Sequence, residues 1–502
     1  MSSLGKGIAA ASLGALLQAR GYTIRMKKLD PYININPGTL SPHKHGEVFV
    51  MKDGCEADLD FGHYERFTGI TCSESDSLTT GKVYNKVRIK EQSGEYFGSD
   101  IQVIPHITNE IKNFIIKGSE DVDFTICEIG GTIGDIEGLP YIESLRQLSI
   151  ELGKHKSICI HLTFLPYIKT AGELKTKPTQ HSVKQLQSMG VQPDILLCRT
   201  ERDINNDIKN KLAMFCNVKS KNVISALDAD NIYLIPEQYH NAGQDKQVCE
   251  HFGLISETAE KTASKMIQSR WGTIKNSINF PEKTTKIAII GNYQEFKDAY
   301  LSLSQAVLHA GIANKVKVDI LLINPEDDLD KNLHHISTTS GIIVPEDVSM
   351  NNNENMFSII KYARENKKPF LGIGLGFKLT IEEYCKNVLD IKDLPPLMKD
   401  ESKNHKGNYD CHVNPNTLTY NIYKSDNITE RHKNIYVIDS NIYNTIKENQ
   451  NIIFSCFSVD KRPESIELKD HPFFIATQFF PEFQSTPFAA HPLFCALIKA
   501  TL

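Results

Sequence analysis

Between Lys27 and Arg66 a forty-residue stretch, KKLDPYININPGTLSPHKHGEVFVMKDGCEADLDFGHYER, places charged groups where a core would place aliphatics. Lys28, Asp30, His45, Glu47, Asp58, Asp60, His63, Glu65 and Arg66 are interrupted by Pro31, Pro37, Gly38, Pro42 and Gly46. Proline and glycine hold such a chain in loops that can surround a charged ligand. A second set of polar groups stands at the N-terminus. Ser2, Ser3, Leu4, Gly5, Lys6 and Gly7 run directly into a helical pattern, which is the arrangement of a phosphate cradle: amides at a helix start, with a lysine as mobile cation. The loop departs from the usual P-loop, because Gly7 stands where Ser or Thr binds magnesium and the preceding strand and first glycine are absent. A glycine-rich tail before an ordinary helix is the alternative reading.

A third set follows an apolar run. CEIGGTIGDIE ends a strand at Glu128 and continues through Gly130-Gly131 to Asp135, Ile136 and Glu137, putting carboxylates at the C-terminal edge of a parallel sheet, where α/β proteins bind ligands. Asp60 and Glu128 are hard oxygen donors suited to Mg²⁺ on nucleotide phosphates. GELKTKPTQHSV adds Lys175, Lys177, Thr179 and Gln180 around Pro178. Two separate cationic groups imply two phosphorylated ligands.

The elements that must position these groups are those of an α/β protein. Short apolar runs at 124–129, 157–162, 194–198, 222–226, 286–290, 318–323, 341–344 and 369–373 alternate with helical segments, which predicts parallel sheets. At 502 residues two domains are expected. A helix is predicted to end near Arg270, with a linker in the polar stretch 276–285; the asparagine- and lysine-rich segments 351–355 and 399–416 read as long polar loops. Residues 8–17 read as a helix of small residues packed on a sheet, closed by Gln18-Ala19-Arg20-Gly21, in preference to a signal peptide. A net charge of −5 without a basic stripe excludes nucleic acid as an expected partner. No run of eighteen apolar residues occurs, so no membrane span is expected, and eleven scattered cysteines fit a reducing, cytosolic setting. His63 and His106 read as structural histidines, since neither has Cys or His at ligand spacing.

The motifs SSLGKG, KLDPYIN, HGEVFV, GHYERF, QVIPHIT, EIGGT and KTKPTQHSV, spread over residues 2–240, resemble the CTP synthase family. The resemblance implies a P-loop-like parallel-sheet synthetase domain (1–253), an interdomain helix and linker (254–284) and a class I glutamine amidotransferase-like, flavodoxin-like α/β domain (285–502). It implies ATP-dependent phosphorylation of O4 of UTP and attack of ammonia at C4. Ser3, Leu4, Gly5, Lys6, Gly7 and Ile8 then cradle ATP phosphates, Lys28 assists phosphoryl transfer, Asp60 and Glu128 hold Mg²⁺, and Asp228 contacts adenine, with Leu227 in place of a frequent lysine. Ser2, Asp135, Ile136, Glu137, Lys175, Thr176, Lys177, Pro178, Thr179, Gln180 and Lys211 correspond to the site for UTP and for CTP as product and inhibitor. His45 corresponds to an ammonia gate, and a homotetramer is implied. Met1 stands where valine would precede the serines, so a misplaced start codon is an alternative to a true truncation.

IGNYQEFKDAYLSL, PFLGIGLGFK and QFFPEFQSTP carry the resemblance into the second domain, but its decisive positions differ. Gly374 takes the place of the nucleophilic cysteine and Phe480 that of the general-base histidine, leaving Glu482 as the remnant of the triad. Residues 343–349 replace the glycine-rich oxyanion segment, and Lys378 and Ile435 replace glutamine-contacting groups. Cys385 lies eleven residues past Gly374, roughly 16 Å away at helical rise, too far to substitute. The sequence therefore implies an ammonia-using CTP synthase with an inactive glutaminase. The alternative is a non-catalytic paralogue that binds UTP or CTP and regulates or joins oligomers of an intact synthase.

Overall fold

The computed structural model describes residues 4–41, 45–153, 155–292, 297–346, 353–391, 397–399 and 405–502. Ser2 and Ser3, assigned to nucleotide contacts, lie outside them, as do residues 347–349 of the replaced oxyanion segment. Two compact units emerge: residues 1–37 with 63–275, and residues 38–62 with 276–502.

In the first unit the helix Lys6–Ala19 buries Gly7, Ala9, Ala11, Gly14 and Ala15. Its small residues allow close approach to the neighbouring strand: a Cβ on Gly14 would meet Ile24 Cδ1 at 2.8 Å. Gly21, at φ +92°, ends it as the sequence predicts. The parallel strands form two three-stranded sheets. One has the order Ser77–Thr79, Ile24–Asp30, Phe124–Ile129, and the other Val223–Leu227, Ile195–Thr200, Ile160–Phe164. Register in the first sheet sets Lys28 opposite Glu128. That pairing brings the two side chains together at the C-terminal ends of their strands.

The helix predicted to stop near Arg270 instead runs from Glu257 to Asn279. Ala263, Ile267, Trp271 and Ile274 continue one buried stripe through the expected boundary, and tertiary burial of that stripe outweighs the mid-helix glycine at 272. Trp271 packs against Phe67 with ring centroids 5.5 Å apart, and Tyr233 packs on both.

The second unit is built on a nine-stranded sheet. Val316–Ile323, Lys283–Ile290, Gly341–Val344, Phe370–Ile373 and Phe474–Thr477 are parallel; Pro463–Leu468, Ile452–Ser458, Gly407–Val413 and Asn427–His432 extend it antiparallel. The parallel core buries Ala288, Ile290, Ile342, Val344, Phe370, Phe377 and Phe474. Two segments read as polar loops are regular structure. Gly407–Val413 is a strand whose Gly407, Cys411 and Val413 point inward between exposed Asn408, Asp410 and His412, and Asn353–Glu365 is a helix burying Met356, Ile359, Ile360 and Ala363. In both, polar residues on the outward face masked the apolar period.

Candidate functional site

Glu128 is 6 % exposed and is held by a cation and a phenol. Lys28 Nζ donates to its Oε1 at 3.1 Å, and the Tyr64 hydroxyl donates to its Oε2. Lys28 Nζ also stands 3.7 Å from Asp30 Oδ1, and the Tyr32 hydroxyl donates to Asp30 Oδ2 at 3.2 Å. The Asp30 backbone is fixed in turn, because its carbonyl accepts from the buried Tyr141 hydroxyl at 3.2 Å. The two carboxylates hold the Lys28 side chain at a fixed position.

The glycines after Glu128 have a steric reason. A Cβ on Gly130 would meet Asp30 Oδ1 at 2.8 Å, so only glycine allows that carboxylate to lie against the turn. Gly131, at φ +74°, accepts a hydrogen bond from Lys6 Nζ at 3.1 Å through its carbonyl. The helix start at Gly5–Lys6 is thereby brought to the Glu128 loop. Arg199 completes this side: a Cβ on Gly5 would lie 3.9 Å from its NH1, and its Nε donates to Asp228 Oδ1 at 2.9 Å. Arg199 and Tyr64 were given no role from the sequence. Tyr64 sits inside the motif GHYERF, but only the packing reveals what either residue touches.

The second predicted group is more exposed. Asp135, Ile136, Glu137, Lys175, Lys177, Pro178 and Lys211 face solvent. Lys175 pairs with Glu173, while Lys177 lies over the Phe215 ring, 5.7 Å from its centroid, which couples the helix Lys177–Ser188 to the helix bearing Lys211. Thr176, Thr179 and Gln180 are buried instead. Thr179 Oγ1 donates to the Phe164 carbonyl at 2.9 Å and Gln180 Nε2 to Thr176 Oγ1 at 3.1 Å, so these residues anchor the helix start that presents the lysines. His45 and Asp60 belong to the second unit; His45 is exposed, and the Asp60 amide donates to Asp58 Oδ1 at 3.0 Å.

Asp30 and Glu128 supply hard oxygen donors, and among the described residues no group of three or more His, Cys, Asp or Glu stands in metal-holding geometry. That donor set fits Mg²⁺, which takes one or two carboxylates and completes its shell with water and phosphate.

In the second unit the strand Phe370–Ile373 turns sharply at Gly374, at φ 57° and ψ −104°, into the helix Leu375–Asn387. This is the geometry of a nucleophile elbow without a nucleophile. A Cβ on Gly374 would run into Glu346 Oε2 and come 2.9 Å from Phe480 Cζ. The Phe480 ring stacks on Phe483 at 5.8 Å. Glu482 is 7 % exposed, its Oε2 has no hydrogen-bond partner among the described residues, and burial raises its carboxyl to about 8, with Glu47 and Glu346 adding to the rise against Lys433. Cys385 is buried, and desolvation lifts its thiol to about 11, which leaves it inert. Ile435 is buried, and Lys378 Nζ lies 3.8 Å from Glu382 and over the Tyr436 ring.

A buried lysine–carboxylate cluster beside a glycine-rich helix start, in a chain that also carries an amidotransferase-type elbow, defines a nucleotide-dependent C–N ligase. Residues 1–254 match the family described as CTP synthase N-terminus, and residues 295–500 match glutamine amidotransferase class-I. The CTP synthase of Pelagibacter ubique (strain HTCC1062) is 46% identical over 532 residues, covering 100% of this chain and 97% of that protein. The CTP synthase of Bradyrhizobium diazoefficiens is 45% identical over 536 residues, with the same coverage. Among solved structures, the glutaminase domain of Trypanosoma brucei CTPS with bound acivicin aligns with 43% of this chain and 93% of its own, at 25% identity and a TM-score of 0.40. The chain belongs to the CTP synthase family. It is a ligase that uses ATP and UTP and produces CTP, and the full-length likeness favours this over a non-catalytic paralogue. No helix among the described residues is long and apolar enough to cross a membrane.

Proposed function

We propose that this chain makes CTP from UTP with ammonia taken up as such or delivered by another protein, and that its own glutaminase is inactive. The observation that carries the reading is the elbow at Gly374, which has no side chain to attack glutamine and faces an aromatic ring where a base is required. Around Lys28 the groups needed for phosphoryl transfer remain.

In this reading Gly5, Lys6, Gly7 and Ile8 bind ATP phosphates with Leu4 and Ser3, and Asp228 contacts the base. Lys28 holds positive charge where the phosphoryl group moves to O4 of UTP, while Glu128 and Tyr64 keep its ammonium in place. Asp60 and Glu128 are the proposed Mg²⁺ ligands; bound there, the ion would neutralise charge on the transferred group. Lys175, Lys177 and Lys211 bind the UTP triphosphate, presented by the helix start that Thr176, Thr179 and Gln180 anchor. Ser2 and Asp135–Glu137 complete the UTP and CTP contacts, with CTP acting also as inhibitor. His45 is assigned to the ammonia gate. Synthetase residues 1–253, linker 254–284 and amidotransferase-like residues 285–502 are the proposed domains, the homotetramer the proposed assembly, and the cytosol the proposed location.

CTP formation from UTP, ATP and Mg²⁺ by the purified chain, with ammonium chloride or glutamine in parallel, tests this. Ammonium alone is expected to support turnover. Turnover with glutamine would overturn the reading of Gly374 and Phe480, and silence with both would overturn the ammonia-dependent enzyme.

A further inference from the structure

The elbow is not merely empty. Glu346 follows the strand Gly341–Val344 and turns its carboxylate onto the start of the helix Leu375–Asn387. Its Oε2 accepts from the Leu375 amide at 2.5 Å, its Oε1 accepts from Asn434 Nδ2 at 2.6 Å, and the Tyr436 hydroxyl lies 3.1 Å from Oε1 and 3.3 Å from Oε2. Asn434 and Tyr436 are themselves buried. The Gly374 amide is spent elsewhere, donating to the Thr477 carbonyl at 2.8 Å, so the Leu375 amide is the elbow donor that Glu346 takes.

In an acyl-transfer site, the amide of the residue after the nucleophile binds the negative oxygen of the tetrahedral intermediate. We infer that Glu346 is a built-in ligand of this seat: its carboxylate sits permanently where the reaction's oxyanion would sit, so the domain keeps its elbow folded without binding glutamine. The inference rests on the inactive-glutaminase reading above and adds its physical cause. Three features support it. A helix N-terminus favours an anion, and here the anion is supplied by the chain itself. The three donors converge on one carboxylate from two segments distant in sequence from it and from each other, which a solvated surface glutamate does not achieve. Finally, the space a nucleophile would need beside Gly374 is filled by Glu346 and Phe480, so the loss of the nucleophile and the arrival of the carboxylate are sterically one change.

The vacated seat provides the test. In Glu346→Gly, tens of millimolar sodium acetate is expected to raise the melting temperature by about 3 °C over sodium chloride at equal ionic strength, saturably, by binding the folded state. The unaltered chain is expected to show no difference between the two salts. Glu346→Gln keeps the shape and loses the charge, and hydrogen exchange of the Leu375 amide is expected to quicken roughly tenfold, because a charge-assisted bond becomes a neutral one. Equal acetate response in both chains, or an unchanged Leu375 amide in Glu346→Gln, overturns the inference. Should Glu346→Gly fail to fold, Glu346→Gln decides alone. Glutamine-dependent CTP formation by the unaltered chain is read separately: it would overturn the inactive glutaminase even if acetate bound the variant.

Discussion

Glu128 and Glu346 stand in comparable places, each at the C-terminal edge of a parallel sheet, yet their surroundings differ in kind. Glu128 shares a buried lysine with Asp30, whereas Glu346 accepts from an amide, a carboxamide and a phenol. Lys28 is charge-paired on two sides, and the proposed role for it is toward an arriving phosphate. The amide, carboxamide and phenol on Glu346 are turned toward a group of the chain's own. The comparison teaches that the chemistry of a site is read from what its charged groups are paired with, more than from the presence of a carboxylate or a turn.

The sharpest way to break the contrast is Lys28→Ala. If Lys28 acts on phosphoryl transfer, kcat for CTP formation from ammonium is expected to fall by about 10²–10³-fold, as when one preorganised donor is removed from a transition state. A change confined to KM would leave Lys28 as a structural partner of Glu128. The mirror experiment in the second unit concerns stability. Gly374→Ala forces a side chain into a positive-φ position against Glu346 and Phe480, and urea unfolding is expected to show a loss of about 2 kcal/mol, partly recovered when Glu346→Gly is added. Additive effects of the two substitutions would separate the elbow from the carboxylate.

The smallest effect concerns Glu482. Its raised carboxyl means that the folded state keeps a proton which the unfolded chain gives up near the ordinary carboxylate pKa. Its contribution is therefore most favourable at low pH and is lost as pH rises toward about 8, where the buried group must ionise. Glu482→Gln is expected to raise the melting temperature by about 5 °C at alkaline pH relative to its effect near pH 4. A gain equal at both ends of the range would mean that the carboxyl is hydrated in solution.

Much of the parallel architecture was legible. Gly341–Val344 and Phe124–Ile129 are continuous apolar runs of strand length, bounded by polar or turn residues, and they appear as strands at those limits. Gly407–Val413 escaped notice because its outward positions are Asn, Asp and His, and a strand at the polar side of a sheet carries only half of its signal. The helix through Trp271 runs past the end predicted near Arg270 because the buried stripe that sustains it is set by tertiary packing. At the sites, Lys28 and Glu128 were chosen from residue type, but their contact follows from strand register across a hundred residues. Glu346 lies in the segment 343–349 that replaces the oxyanion loop, but its role emerges only when Leu375, Asn434 and Tyr436 are folded around it.

Trp271 is the chain's single tryptophan, and it is packed among Phe67 and Tyr233 in the first unit. The protein thus has an intrinsic fluorophore whose emission follows the melting of the nucleotide-binding unit, while circular dichroism follows both units. Comparing the two traces in one denaturant titration separates the stability of the first unit from that of the second.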